Sequence, residues 1–83
     1  MATVKYTQEA FDQLTRLPLV IQRRVEAVVI RLAKWPHVSG AKPLRGDLKG
    51  NFRIRTGDYR VVFAVVGEEV RIWRIGYRSG IYD

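Results

Sequence analysis

The sequence predicts an α+β domain with the element order β-α-α-β-β-β, in which a helical hairpin packs on one face of a small antiparallel sheet. Two patterns indicate this fold. Apolar residues recur at helical spacing in the first half of the chain, and polar and apolar residues alternate in three segments of the second half. The chain has 83 residues, 47% of them hydrophobic, which predicts one small domain over residues 1–83.

The first half of the chain is predicted to form a short strand and two helices. The strand covers residues 3–6, where polarity alternates, and Thr7 after it is a favourable helix N-cap. Apolar residues at helical spacing extend the first helix to about Leu17. Pro18 interrupts this pattern and suits the first turn of a second helix, whose apolar stripe continues to Trp35. The two helices therefore form a hairpin.

Three strands are predicted after a turn-rich loop at residues 36–50. They cover residues 51–56, 59–66 and 69–75, and two-residue turns led by glycine, Gly57-Asp58 and Gly67-Glu68, separate them. The last two strands carry apolar residues on both faces, so we expect them to lie in the centre of the sheet.

The chain is strongly basic. Fifteen Lys and Arg residues against eight Asp and Glu residues give a formal net charge of +7, and eleven of the fifteen cations are Arg. A guanidinium group binds phosphate through two parallel hydrogen bonds and stacks on bases, whereas a merely soluble surface can be built equally well from Lys. The composition therefore favours a polyanion or an acidic protein as partner over an inert basic surface.

The composition also excludes several kinds of site. The chain has no Cys, which excludes a disulfide framework, a thiolate zinc site and a Cys nucleophile, and His37 is its one His. We therefore expect neither a metal nor another cofactor. No apolar run is long enough to cross a bilayer or to act as a signal sequence, so we expect a cytoplasmic protein with no membrane partner.

The predicted hairpin at residues 51–66 gathers cations. Arg53 and Arg55 alternate along one strand, so their side chains point to the same side of the sheet. A normal register across the tight turn brings Arg60 of the next strand close to them. The triplet predicts a cationic patch, and a solvated sheet face is the alternative interpretation.

The last residues of the chain combine Arg side chains with aromatic rings. Residues 71–83 place both types just past a strand end, and unstacked single-stranded bases need such a combination. For Trp73, in the middle of a strand, and for Trp35, at a helix end, we expect packing instead. Tyr82 follows Gly80 outside any predicted strand, which makes its ring a candidate platform for a base.

The order of elements and three segments resemble the RelE/ParE superfamily of toxin-antitoxin toxins, most closely its RelE branch. The segments are residues 42–46 (KPLRG), 51–63 (NFRIRTGDYRVVF) and 74–82 (RIGYRSGIY). The resemblance implies a small ribonuclease that works without a metal, enters the ribosomal A site and cuts mRNA there. It also implies an acidic, RelB-like antitoxin that joins the toxin in a hetero-oligomer.

The same resemblance implies which residues act. In such toxins two cations on the first hairpin strand, an Arg on the next strand, an Arg near the end of the last strand and a terminal Tyr form the functional set. These positions are Arg53, Arg55, Arg60, Arg78 and Tyr82. The flanking residues predicted to bind RNA are Lys42, Arg45, Lys49, Arg74 and Tyr77. The two cations of the first strand are often Lys in the family. Arg is a poorer proton acceptor than Lys, so the resemblance does not identify the residue that acts as general base.

The expected chemistry uses the RNA itself as nucleophile. Without an activated water, the 2′-hydroxyl attacks the adjacent phosphate, which selects RNA over DNA and leaves a 2′,3′-cyclic phosphate and a 5′-hydroxyl end. Arg60 and Arg78 are expected to hold the phosphate, and Tyr82 to stack on or orient a splayed base. Two alternatives stay open: a ParE-like inhibitor that binds DNA gyrase without catalysis, and an RNA-binding module without catalysis.

Overall fold

Two helices cover one face of a five-stranded sheet in the computed structural model, which describes residues 1–77. The α+β class and the helical hairpin on a sheet are therefore confirmed. The elements are β1 (Thr3–Tyr6), α1 (Gln8–Thr15), α2 (Leu19–Leu32), β2 (Lys42–Pro43), β3 (Asn51–Thr56), β4 (Tyr59–Val66) and β5 (Glu69–Tyr77).

The sheet has the strand order β1-β5-β4-β3-β2, so the two apolar strands β4 and β5 are central, as predicted. It differs from the expected antiparallel sheet because β1 runs parallel to β5, which makes the sheet mixed. The direction of β1 depends on the route of the chain through the helical hairpin, which a local alternation pattern does not encode. A further short strand, β2, forms inside the predicted loop and pairs with β3 at the other edge.

Both helices begin where the sequence predicts and end earlier. The hydroxyl oxygen of Thr7 accepts a hydrogen bond from the backbone N–H of Ala10 at 3.1 Å, which confirms the N-cap of α1. The chain then continues past each helix with hydrogen bonds between residues three apart, to Leu17 after α1 and to Trp35 after α2. Such tightened turns carry the apolar spacing beyond the end of the α-helix itself.

The hydrophobic core lies between the helices and one face of the sheet. Trp35 belongs to it, as expected, with ring centroids 4.7 Å from Phe52 and 5.4 Å from Phe63. The buried residues of the hydrophobic core are Ala10, Leu14, Val25, Val28, Leu32, Ile54, Val61, Phe63, Val70, Ile72 and Ile75. Burial of this apolar surface supplies the main driving force for folding.

Two tight turns set the register of the central strands. Gly57 and Gly67 have positive φ values of 63° and 60° at the first position of their two-residue loops. Glycine at that position suits the type II′ hairpin, whose twist matches that of the flanking strands. The first of these turns pairs Arg55 with Arg60 across β3 and β4.

A β-bulge interrupts the pairing of β4 with β5. Phe63 pairs with Ile72, whereas Val62 pairs with Arg74, so Trp73 is the extra residue on β5. The strand continues to Tyr77, beyond the predicted end at residue 75. A bulge bends its strand and changes the direction of nearby side chains, and here it lies just before the predicted functional segment.

Candidate nucleic-acid interface

The face of the sheet that points away from the helices carries the predicted cations. On β3, Arg53 and Arg55 alternate with Ile54, which lies in the core. Since neighbouring residues of a strand point to opposite faces, both Arg side chains lie on the open face. Arg60 pairs directly with Arg55 and shares that face. The structure thus brings the three predicted Arg residues together.

Arg60 differs from its neighbours in burial. It is only 4% exposed, and its guanidinium atoms Nε and Nη1 are buried, whereas Arg53 is half-buried and Arg55 is exposed. A long side chain enclosed in this way is fixed in position, and it presents little surface to a ligand. Arg60 therefore differs from the expected residue that holds the phosphate directly, because its guanidinium lies beneath the surface that Arg53 and Arg55 form.

The neighbouring edge of the sheet extends this cationic surface. Lys42 on β2 pairs with Arg53 on β3 and is exposed. Arg45 and Lys49 flank the short 3-10 turn Gly46–Leu48 between these strands, and both are exposed. Three of the five residues predicted to flank the site thus lie on the segment next to Arg53.

The other two predicted flanking residues lie on β5, one on each face of the sheet. Arg74 is half-buried, and its Nη1 lies 3.6 Å from Oε1 of Glu9 on α1. Tyr77 pairs with Tyr59, with ring centroids 5.4 Å apart. By strand alternation these two Tyr residues lie on the face opposite to Arg60. Tyr77 therefore does not join the cationic surface, whereas Arg74 pairs with Val62, the partner of Arg53, and so lies on the open face.

Two of the predicted catalytic residues, Arg78 and Tyr82, lie outside the described residues. Gly76, which pairs with Arg60, is close to the end of the described chain. The roles of Arg78 and Tyr82 stay predictions.

The structure adds a pair of residues to the open face that the sequence argument missed. The indole N–H of Trp73 donates to Oδ1 of Asn51 at 2.8 Å, and the Asn51 amide donates to the carbonyl of Leu48 at 3.1 Å. Trp73 is half-buried and outside the core cluster, so the expectation of core packing was wrong for it. A signal was present: Ile72 and Ile75 face the core three residues apart instead of two, which indicates a bulge.

A second group of charges lies at the far end of the open face. Lys5 on β1 pairs with Arg71 on β5, and both interact with the carboxylate of Glu69. The hydrogen bond from Arg71 is the main reason that the pKa of Glu69 lies below its ordinary value, with Lys5 adding to the effect. Glu69 thus offsets positive charge at this end. The sequence argument missed the group because it requires the parallel pairing of β1.

The described residues show what this face can do chemically. Adjacent guanidinium and ammonium groups bind phosphate oxygens through charge-assisted hydrogen bonds. Within residues 1–77, no group of three or more His, Cys, Asp or Glu side chains is placed to hold a metal ion. Neither α1 nor α2 is long and apolar enough to cross a membrane.

Comparison with known proteins decides the family. A family model described as "ParE toxin of type II toxin-antitoxin system, parDE" matches residues 4–82. The chain belongs to the RelE/ParE toxin superfamily. It is 44% identical over 82 residues to Toxin RelE of Mycobacterium tuberculosis, covering 95% of this chain and 84% of the relative. It is 36% identical over 83 residues to Toxin RelG of the same organism, covering 96% of this chain and 94% of the relative.

Solved structures place this toxin in the same fold. The RelBE2 toxin-antitoxin complex of Mycobacterium tuberculosis matches with a TM-score of 0.82 and 32% identity, over 93% of this chain and 98% of that chain. The isolated RelE toxin of Escherichia coli matches with a TM-score of 0.79 over 93% and 84% of the two chains. At 17% identity, the second likeness shows the fold alone. The chain is thus a RelE-like toxin of a toxin-antitoxin system.

Proposed function

We propose that this toxin is a ribosome-dependent endoribonuclease that cleaves mRNA in the ribosomal A site without a metal ion. The observation that carries the proposal is the group of Arg53, Arg55 and Arg60 on the open face of the sheet. Guanidinium groups gathered on one face suit a polyanionic ligand such as RNA. The relatives named RelE support the same interpretation.

The proposed reaction is an attack by the RNA on its own backbone. The 2′-oxygen forms a bond to phosphorus, the bond from phosphorus to the 5′-oxygen breaks, and a proton moves from the 2′-hydroxyl to a base while the 5′-oxygen gains one. Arg53 and Arg55 neutralise the negative charge that develops on the phosphate oxygens, and the fixed charge of Arg60 adds to the field beneath them. Arg78 is our candidate donor to the leaving 5′-oxygen.

In this proposal the residues next to the site bind RNA and take no part in the cleavage reaction. Lys42, Arg45 and Lys49 are exposed along the β2 edge, where they are available to the RNA backbone on either side of the cleaved bond. Tyr82 is our candidate for stacking on a base. Its ring alone is needed for that role, so Tyr82→Phe should retain much of the activity that Tyr82→Ala loses.

Primer-extension mapping of mRNA in a translation reaction tests the proposal. Cuts within A-site codons, with 2′,3′-cyclic phosphate ends, are expected for the wild-type protein. Arg78→Ala should lower the cleavage rate far more than ribosome binding, because a group that tightens on the transition state acts mainly on the chemical step. Intact mRNA with the wild-type protein, or equal losses of cleavage and binding in Arg78→Ala, would contradict these assignments.

A second candidate function is inhibition of DNA gyrase by binding. The observation that favours it is the family model, whose description names ParE. Primer-extension mapping combined with an assay for gyrase-dependent DNA breaks separates the two: intact mRNA together with such breaks supports the gyrase inhibitor. Bound but uncut mRNA would instead support an RNA-binding module without catalysis.

We also propose an acidic, RelB-like antitoxin as the partner, in a cytoplasmic hetero-oligomer. The RelBE2 structure and the Escherichia coli RelBE structure are toxin-antitoxin complexes, and the net charge of +7 suits an acidic partner. Since charge steers encounter, the association rate with the product of the adjacent reading frame should fall as salt rises, while dissociation stays slow. An association rate indifferent to salt would contradict this pairing.

A further inference from the structure

One edge of β5 loses its neighbouring strand halfway along. On that side β1 pairs with residues 69–72 of β5, and the last pair joins Tyr6 to Ile72. The chain then leaves the sheet and enters α1 at Gln8. No strand among residues 1–77 pairs with this side of the remainder of β5. Backbone donors on an uncovered strand edge need another partner.

Gln13 of α1 supplies that partner. Its side-chain oxygen Oε1 accepts a hydrogen bond from the backbone N–H of Ile75 at 2.7 Å. Its amide nitrogen donates to Oε1 of Glu9, one helical turn earlier, at 3.3 Å. The same Glu9 oxygen lies 3.6 Å from Nη1 of Arg74. Both ends of the Gln13 amide are thus engaged, which sets its orientation.

The position of Ile75 gives this contact its importance. Ile75 lies between the bulge at Trp73 and Gly76, and Gly76 is the partner of Arg60 in the register. The bulge interrupts the ladder just before this point, and regular pairing with β4 resumes at Arg74. The hydrogen bond to α1 holds the strand from its other edge. A shift of Ile75 would therefore move the end of β5 relative to Arg60.

We propose that Gln13 is a positioning residue of the toxin, which holds Ile75 so that the end of β5 stays in place beside Arg60. The inference rests on the proposed function, since it concerns the geometry of the cleavage site. Gln13 itself lies on a helix, and its role is exerted through the backbone of β5. The helical hairpin thus contributes to the site as well as to the core.

Three variants separate positioning from simple loss of stability. Gln13→Met keeps the length of the side chain and removes the acceptor. The double variant Glu9→Gln with Gln13→Glu exchanges the two side chains, which preserves net charge and leaves an acceptor for Ile75. Gln8→Met is the matched control, because Gln8 is exposed on the same helix and its amide donates only locally, to Asp12 at 2.9 Å.

Amide hydrogen exchange measures the contact directly. The Ile75 amide of the wild-type protein should exchange as slowly as amides within the β4–β5 ladder, and fast exchange there would overturn the inference even if Gln13→Met fails to fold. Exchange should be on the order of tenfold faster in Gln13→Met, the effect of losing one hydrogen bond. The double variant and Gln8→Met should match the wild type.

Cleavage kinetics measure the consequence. In Gln13→Met we expect kcat to fall by about ten- to a hundredfold with KM nearly unchanged, the effect of a small misplacement at the site. The double variant should recover kcat. A folded Gln13→Met with the kcat of the wild type would overturn the inference and leave the proposed function standing. If the wild-type protein does not cut mRNA, the proposed function fails, whereas Ile75 exchange still decides whether Gln13 holds the strand.

Discussion

One face of the sheet lies under the helices and the other carries a row of cations, although alternate residues of the same strands build both. On β3, Phe52 and Ile54 contact the core, while Arg53 and Arg55 lie on the open face. On β4, the fully buried Phe63 faces the helices, and Arg60 faces the other way. A shift of one residue in register would exchange the two faces, so the tight turn at Gly57 protects core and site together.

Burial has different effects on the free energy of folding on the two faces. Under the helices it is apolar burial, which stabilises the fold. On the open face the guanidinium of Arg60 is buried as well as the apolar Val62, and removing a charge from water is unfavourable. Substitution of a buried apolar side chain should therefore mainly lower stability, whereas substitution of an exposed cation on the open face should mainly lower activity.

The largest effect on stability is expected from the helix-covered face. Phe63→Ala removes a fully buried ring and should lower the free energy of unfolding by about 3–5 kcal/mol, measured by urea denaturation. Val66 of the same strand is 52% exposed, so Val66→Ala should change the free energy of unfolding by less than about 0.5 kcal/mol. Similar losses in the two variants would break the distinction between the faces.

The largest effect on activity is expected from the open face. Arg55→Ala removes an exposed cation next to Arg60 and should lower mRNA cleavage by about a hundred- to a thousandfold, with little change in the urea midpoint. Single-turnover cleavage on programmed ribosomes measures this. Arg23→Ala removes the same charge from an exposed position of α2 and serves as control. Equal activity losses in the two variants would mean that only the total charge matters.

A smaller effect on stability is expected from Asn51, whose side chain accepts a hydrogen bond from Trp73 on the open face. Asn51→Ala leaves the indole N–H of Trp73 without its acceptor, which should lower the free energy of unfolding by about 1–2 kcal/mol. Asn51→Asp keeps an acceptor oxygen, so it should lose less. Urea unfolding followed by tryptophan fluorescence measures both variants. A larger loss in Asn51→Asp than in Asn51→Ala would contradict the hydrogen-bond explanation.

The smallest effect concerns the far end of the open face and depends on pH. The hydrogen bond from Arg71 holds the pKa of Glu69 below its ordinary value of 4.5, so the folded state favours the ionised carboxylate. This stabilisation is present above that value and disappears as the pH falls through the lowered pKa. The wild-type protein should therefore be slightly more stable than Glu69→Gln at neutral pH, and the two should converge in acid. Urea denaturation across this range measures it, and a difference independent of pH would contradict it.

The sequence by itself determined the elements and the triplet at the centre of the site. The strand boundaries at residues 3–6, 51–56 and 59–66 and the cap at Thr7 follow from neighbouring residues in the chain. The same is true of the tight turn at Gly57, and through it of the pairing that gathers Arg53, Arg55 and Arg60. Alternation and turn type are local properties, so they can be read without knowledge of distant contacts.

Only the tertiary structure decided how these parts meet the rest of the chain. The parallel pairing of β1 with β5, the contact of Gln13 with Ile75 and the ion pair that draws Arg74 to α1 each join residues far apart in sequence. The burial of Arg60 likewise depends on what surrounds it in space. Many chain routes are compatible with the same local patterns, and the packing of the whole domain selects one of them.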